Sequence, residues 1–263
     1  MNETGLIPEI GVSHQQAVCR IEIRRPEKKN ALTREMYSAM AGAIERADAD
    51  GRIRVIFLCG AADFFCAGND LKEFQEAADD PGLRPEQGNP FMRAISSAQK
   101  PMIAAVTGPA IGVGVTMLLH FDLVYAGESA SFAMPFVNLG LCPEAGSSFL
   151  LPRLMGHQRA AEMLFLGETF TAHQAREFGM VNDVYPDDAV IGKAFARAEK
   201  LAQQPPESVR LTKALLKRSV SDAIADTMRE ELFHFSQRLS SAECREALAA
   251  FFARRQPDFS SFS

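Results

Sequence analysis

Residues 106–122, VTGPAIGVGVTMLLHFD, say most about the architecture of this chain. An apolar run, MIAAV at 102–106, passes into a glycine-rich turn and straight on into a second apolar segment. Strand, tight turn and helix in that order belong to α/β proteins. The second segment is hydrophobic on nearly every side, so it is expected as a buried helix with its N-terminus on a cleft. Unpaired N–H groups at that end, near Val113, would favour negative charge. A strand-to-helix packing turn without any ligand accounts for the same residues.

Outward from that stretch the pattern repeats. DLVYAG at 122–127 reads as a further strand, and Ile53 to Leu58 as a buried one. Nearer the start, Ala17 to Ile23 alternates like a strand and leads into the polar loop RRPEKKN (24–30). Thr33 is placed to cap a helix with Met36, Met40, Ile44 and Ala47 on its apolar side, stopping near Gly51. Downstream, Thr171 and Gln174 form a capping box for a short helix ending near Gly179. Pro205-Pro206 then separates the body from a tail with helical signals, where Ser240 and Glu243 make a second capping-box candidate. These signals divide the chain into a body, 1–200, and a helical region, 201–263. The tail is too short to bury its own core. Its Leu232, Phe235, Leu248, Phe251 and Phe252 are expected to pack on the body or on another subunit.

Composition narrows the function. With 263 residues, 47% hydrophobic and 23% charged, the chain has ordinary globular values. A net charge of -5 argues against a general nucleic-acid binder, which needs a basic face. The five cysteines (Cys19, Cys59, Cys66, Cys142, Cys244) include no C-x-x-C pair, which points to neither a zinc site nor a disulfide framework and fits a cytoplasmic protein. The opening MNETGLIPEI has no signal-peptide pattern, no apolar run is long enough to span a bilayer, and the closing SFS is not the S-K-L peroxisomal address.

Common catalytic motifs fail one by one. GPAIGVG lacks the third glycine of a dinucleotide fingerprint, because Met117 stands there. No Gly-Lys-Ser/Thr follows as a P-loop requires, and no G-x-S-x-G surrounds Ser147 or Ser148. The five histidines show no ligand spacing and are expected at the surface or at helix ends.

Two further segments carry chemistry. In DFFCAGNDLKEF (63–74), Ala67 and Gly68 leave room for close approach, and the N–H of Asn69 is free to meet a ligand near a helix start. A plain turn with Asp70 as helix cap explains the same residues. In SFAMPFVNLGLCPEAGSS (131–148), Glu144 has Leu141, Cys142, Pro143 and Ala145 for neighbours, company that should raise its pKa and suit it to proton transfer near neutral pH. An exposed glutamate at a helix N-terminus is the alternative.

Together these segments resemble the signature regions of the crotonase (enoyl-CoA hydratase/isomerase) superfamily, from about Arg24 to Phe259. CAGNDLKEF is similar to the family's first oxyanion loop, TGPAIGVGVTML to its second, and ECREALAAFFARRQPDF to its C-terminal helix. The resemblance implies an α/β spiral of repeated β-β-α units with a helical C-terminal region, assembled as a trimer or a dimer of trimers. It implies an acyl-CoA substrate, no membrane or nucleic-acid partner, and no cofactor, since coenzyme A arrives as part of the substrate. By position, the oxyanion donors are the N–H groups of Asn69 and Val113. Lys28, Ala67, Gly68, Asp70, Leu71, Gly112, Phe136 and Leu141 fall around the bound thioester. Lys29 and Lys72, and more weakly Arg254 and Arg255, join Lys28 as candidates to meet the coenzyme's phosphates.

Departures from the pattern bear on the reaction. The positions of the two hydratase glutamates hold Thr116 and Phe136, and a glutamate stands at 144, where those hydratases usually have glycine. That arrangement, with SGNDL-like and PEGCSS-like segments, resembles the peroxisomal-type Δ3-Δ2-enoyl-CoA isomerases, in which one glutamate moves a proton from C2 to C4. Other readings are an enoyl-CoA hydratase, a thioester hydrolase, or a non-catalytic acyl-CoA-binding scaffold.

Overall fold

In the computed structural model, the structure describes residues 7–61, 63–80, 82 and 88–262. Among the described residues the strands are β1 (Ile10–Gln15), β2 (Val18–Ile23), β3 (Val55–Gly60), β4 (Met102–Val106), β5 (Pro109–Ile111), β6 (Leu123–Gly127), β7 (Ser131–Ala133), β8 (Phe170–Thr171) and β9 (Asp183–Tyr185). Six of them form one sheet in the order β1-β2-β3-β4-β6-β9, antiparallel only between β1 and β2. β5, β7 and β8 form a second, smaller sheet. The helices are α1 (Arg34–Ala49), α2 (Leu71–Asp79), α3 (Pro90–Ser97), α4 (Val113–Thr116), α5 (Ser147–Met155), α6 (His157–Leu166), α7 (Ala172–Glu177), α8 (Val190–Ala202), α9 (Pro206–Lys217), α10 (Ser221–Leu239) and α11 (Ala242–Ala253).

The central strands are apolar throughout because both faces of the large sheet are covered. Ile56, Leu58, Met102 and Ala104 enter the main core with Met36, Met40 and Ile44 of α1. The alternate residues Val55, Phe57, Ile103 and Ala105 meet Val190, Ala194 and Ala198 of α8 on the other face. Successive strand side chains point to opposite faces, so one continuous run serves two layers.

The expected caps at Thr33 and Thr171 are present, the latter as a full capping box. Three expectations need correction. The apolar helix after Gly112 is a four-residue α4 continued by a 3-10 turn, Met117–His120, whose tighter winding ends the run before Phe121. The second capping box is not formed. Ser240 closes α10, so α11 starts one residue later with Ser241 accepting the Cys244 N–H, and Glu243 pairs with Arg238 instead. Among the histidines, His120 is buried at 2% exposure.

The boundary expected near residue 200 falls in the last turn of α8, and α9 to α11 make up the helical tail. Buried ion pairing and hydrogen bonding tie this tail to the body. The ammonium of Lys213 donates to Asp122 Oδ2 at 2.8 Å and to the Lys100 carbonyl at 2.7 Å. Phe235 and Leu248 are buried and Leu232 half-buried, but Phe251 and Phe252 remain 56% and 42% exposed. They lie on the side of α11 turned away from the body, so folding of one chain does not cover them.

Candidate active site

Two backbone junctions place the glycine-rich segments side by side. The Ile111 N–H donates to the Cys66 carbonyl at 2.8 Å, and the Cys66 N–H to the Pro109 carbonyl at 3.2 Å. The contact is close enough that a Cβ on Gly114 would stand 2.7 Å from the Cys66 carbonyl oxygen. At Gly108, held at φ +62°, a Cβ would come within 1.8 Å of the Asp63 carbonyl oxygen. Glycine is required at both positions because backbone occupies the space a side chain would take.

The same geometry leaves two amides without a backbone acceptor among the described residues. Leu32 and Asn69 form a parallel bridge, in which the Leu32 N–H donates to the Gly68 carbonyl and the Asp70 N–H to the Leu32 carbonyl. A parallel bridge draws on the groups flanking its central residue, so the N–H of Asn69 points to the other side. In α4 the first inward donors are Val115 and Thr116, both to the Gly112 carbonyl at 2.9 and 3.0 Å. The Val113 N–H, one of the leading amides of the helix, has no intrahelical acceptor. Asp70 caps α2 by accepting the Lys72 N–H at 3.0 Å, and it pairs with Arg25 at 2.8 Å, locking the loop to the 24–30 segment.

A cleft of about 520 Å³ opens beside this junction. Its walls include the polar residues Asn69, Asp70, Glu73 and Glu144 and the apolar side chains of Phe74, Met92, Met228, Leu232 and Phe235. Tyr37 also lines it, donating its hydroxyl hydrogen to Asn69 Oδ1 at 2.5 Å. Glu144 as a residue is half-buried, yet its Oε1 is closed to solvent and has no hydrogen-bond partner among the described residues. Burial first, and the charge of Glu231 second, push its pKa up from the ordinary 4.5 to about 7. It lies three positions before the first residue of α5 rather than heading that helix.

Other candidates lie elsewhere. Phe136, Leu141 and Val113 are buried and outside the cleft wall, and Phe136 sits beside Gly112, 4.0 Å from where a Cβ would be. Ala67, Gly68, Leu71 and Gly112 are not part of the cleft wall, nor is Lys28, which lies exposed on a 3-10 turn. Lys29 rests over the Phe64 ring and Arg255 is ion-paired with Glu246, while Lys72 and Arg254 are exposed. Thr116 is fully buried, with Oγ1 unpartnered among the described residues. No group of His, Cys, Asp and Glu among the described residues could hold a metal ion.

Sequence reasoning missed three residues. Tyr37 lies on the apolar side of α1, one position from Met36. His120 ends an apolar run, and its Nε2 meets the Ala145 carbonyl oxygen at 2.7 Å. Since a carbonyl only accepts, that nitrogen carries the proton. Burial lowers its pKa to about 4, which keeps the ring neutral at physiological pH. Glu231 stands on α10 between Met228 and Phe235, at 7% exposure. A carboxylate three residues after one apolar anchor and four before the next was the available signal.

Comparison with known proteins bears on the family and the fold. A family model described as enoyl-CoA hydratase/isomerase matches residues 13–261. Enoyl-CoA delta isomerase 2 of Rattus norvegicus is 35% identical over 93% of this chain, which spans only 63% of that protein's length. The 2,3-dehydroadipyl-CoA hydratase of Escherichia coli (strain K12) is also 35% identical, over 95% of this chain and 98% of its own. The crystal structure of an enoyl-CoA hydratase/isomerase from Pseudoalteromonas atlantica T6c superposes with a TM-score of 0.88 at 40% identity, covering 96% of this chain and 100% of that one. The crotonase-like α/β architecture with a helical C-terminal region, expected from the sequence, is therefore the one observed.

Proposed function

We propose, from the premise that the chain belongs to the enoyl-CoA hydratase/isomerase (crotonase) superfamily, that it is a Δ3-Δ2-enoyl-CoA isomerase with Glu144 as its single proton shuttle. The observation that carries this reading is a desolvated, unpartnered carboxylate oxygen in the cleft wall on a glutamate whose pKa is pushed up to about 7, while Thr116 and Phe136 stand buried where hydratases of the family carry glutamates. A carboxylate of that pKa can take a proton and give it back at neutral pH.

The proposed sequence of events is short. The thioester carbonyl oxygen accepts from the N–H groups of Asn69 and Val113. Glu144 takes a proton from C2, the electrons move into the carbonyl, and the two amides hold the charge of the dienolate. Removing one such donor typically costs about 3–4 kcal/mol of transition-state stabilisation. Glu144 then returns the proton at C4, and the double bond ends in conjugation with the thioester. The apolar cleft wall, including Phe74, Met228 and Phe235, suits an acyl chain. Trimeric assembly belongs to the same reading, with Phe251 and Phe252 as apolar surface open to a neighbour.

Incubation with a short 3-enoyl-CoA should produce the ultraviolet absorbance of the conjugated 2-enoyl thioester, with slow hydration of 2-enoyl-CoA. Rapid formation of 3-hydroxyacyl-CoA with no isomerisation would overturn the assignment. A second expectation concerns pH. Because Glu144 must be ionised to accept a proton, kcat/KM should rise with pH through an acid limb near 7 and level off above it. A limb near the ordinary glutamate value would mean that the free enzyme's base is a different, exposed carboxylate.

A further inference from the structure

We propose that Glu231 is a positioning residue for Glu144, holding from the tail helix α10 the loop that presents the carboxylate to the cleft. The inference rests on the reading of Glu144 as the base. Glu231 is buried, and three donors of one short segment converge on its carboxylate. The Gly146 N–H meets Oε2 at 2.6 Å, while the Ser148 N–H and hydroxyl meet Oε1 at 2.9 and 2.6 Å. A buried carboxylate is costly to hold unless its oxygens are bonded in this way, so the arrangement strongly prefers one loop shape.

That shape needs support. Ala145 and Gly146 are both left-handed, at φ +62° and +73°, and alanine rarely adopts that conformation unaided. His120 grips the other side of the turn through the Ala145 carbonyl, and Ser147 closes it from within by donating its hydroxyl to the Glu144 carbonyl at 2.6 Å. Glu231 is the one member of this set supplied by the tail. Its helix also presents Met228, Leu232 and Phe235 to the cleft, so one element both lines the apolar channel and fixes the carboxylate.

Glu231 also acts through its charge. Among the described residues, the groups that interact electrostatically with Glu144 include Tyr37 from α1, Cys66 from the first loop, Cys142 from its own loop and Glu231. Burial pushes the tyrosine and both thiols up, and it also raises Glu231, against which the Ser148 and Gly146 donors act by favouring its carboxylate form; Glu231 is the group of this set whose charge raises Glu144. Glu231 itself faces Ser148, Gly146 and the exposed Glu230.

Glu231→Gln keeps the shape but turns an amide nitrogen toward an N–H donor and removes the charge. Carbon-13 NMR of labelled glutamate carboxyls, with the Glu144 signal identified by its loss in Glu144→Gln, reads the effect without relying on turnover. Glu144 should titrate at lower pH in Glu231→Gln than in wild type. In the isomerisation assay kcat should fall roughly tenfold or more with KM within about twofold, because a misplaced base slows the chemical step and leaves ground-state binding intact. Glu230→Gln should change neither readout. An unchanged Glu144 titration, or a raised KM with kcat intact, would overturn the proposal and leave Glu231 as part of the channel wall. Should Glu231→Gln not fold, Ser148→Ala removes one donor while keeping the charge, and it should lower kcat severalfold at constant KM. Normal kcat in that variant would count equally against the idea. If Glu144→Gln itself turns over normally, the base assignment fails, whereas a dead Glu144→Gln beside a normal Glu231→Gln defeats only the inference about Glu231.

Discussion

Glu144→Gln should lower kcat by roughly a thousandfold or more, while KM for the acyl-CoA changes little. Glutamine keeps the volume and one acceptor oxygen but cannot take a proton. The ground-state thioester, in the proposed mechanism, is held by the amides of Asn69 and Val113 and by the apolar cleft, none of which the substitution touches. A rise in KM with kcat preserved would make Glu144 a substrate-holding residue instead. The same variant should gain stability. The folded chain holds the Glu144 proton more firmly than the unfolded chain does, since the pKa rises from 4.5 to about 7 on folding. Stability is therefore lost as pH climbs through that window, and the ionised, desolvated carboxylate costs up to about 3 kcal/mol at pH 8. Glutamine carries no charge to desolvate. Urea melts at pH 8 should show Glu144→Gln more stable than wild type, with the difference vanishing below about pH 4.5, where both chains are neutral at this position. Equal midpoints at pH 8 would mean that the carboxylate is better solvated than its burial implies.

The second large effect is expected at a residue with no side chain. Gly108→Ala should destabilise the fold by about 3–5 kcal/mol. Two costs combine. The position is left-handed at φ +62°, and the added Cβ would meet the Asp63 carbonyl oxygen at 1.8 Å, far inside van der Waals contact. The obstacle is backbone, so no rotamer change relieves it. Asp63 and Phe64 would have to move, and they lead directly into the Cys66 junction that sets Asn69 beside α4. Activity should fall further than stability alone explains, because both proposed oxyanion donors depend on that junction. A urea melt within about 1 kcal/mol of wild type would show that the turn yields where the geometry says it cannot.

The chain's own pattern determined the elements and their class. Thr33 before Met36, Met40 and Ile44 specified α1 because capping and helical periodicity are local properties. The apolar runs read at Ile53 to Leu58 and at 102–106 announced the strands found at Val55–Gly60 and Met102–Val106, because an apolar run tolerates no solvent-facing side. The resemblance of the two glycine-rich segments placed Asn69 and Val113 as donors, and at both positions the N–H has no backbone acceptor among the described residues, which is compatible with that role.

Glu144 could be suspected from its apolar neighbours, but its desolvation depended on distant partners. Tyr37, 107 positions earlier, lines the same cleft, and Glu231, 87 positions later, adds the repulsion that helps raise its pKa. Neither separation leaves a periodic trace. Local rules likewise could not say that Ser240 would close α10 and hand the next cap to Ser241, because that one-residue choice follows from where the preceding helix ends. His120 shows the limit most plainly. Its spacing offers no ligand pattern, and only the packed fold, which carries the Ala145 carbonyl to within 2.7 Å of its ring, makes it part of the support beneath Glu144. Element type is written in nearest-neighbour chemistry, whereas proton affinity is set by whatever burial and charge the tertiary fold brings together.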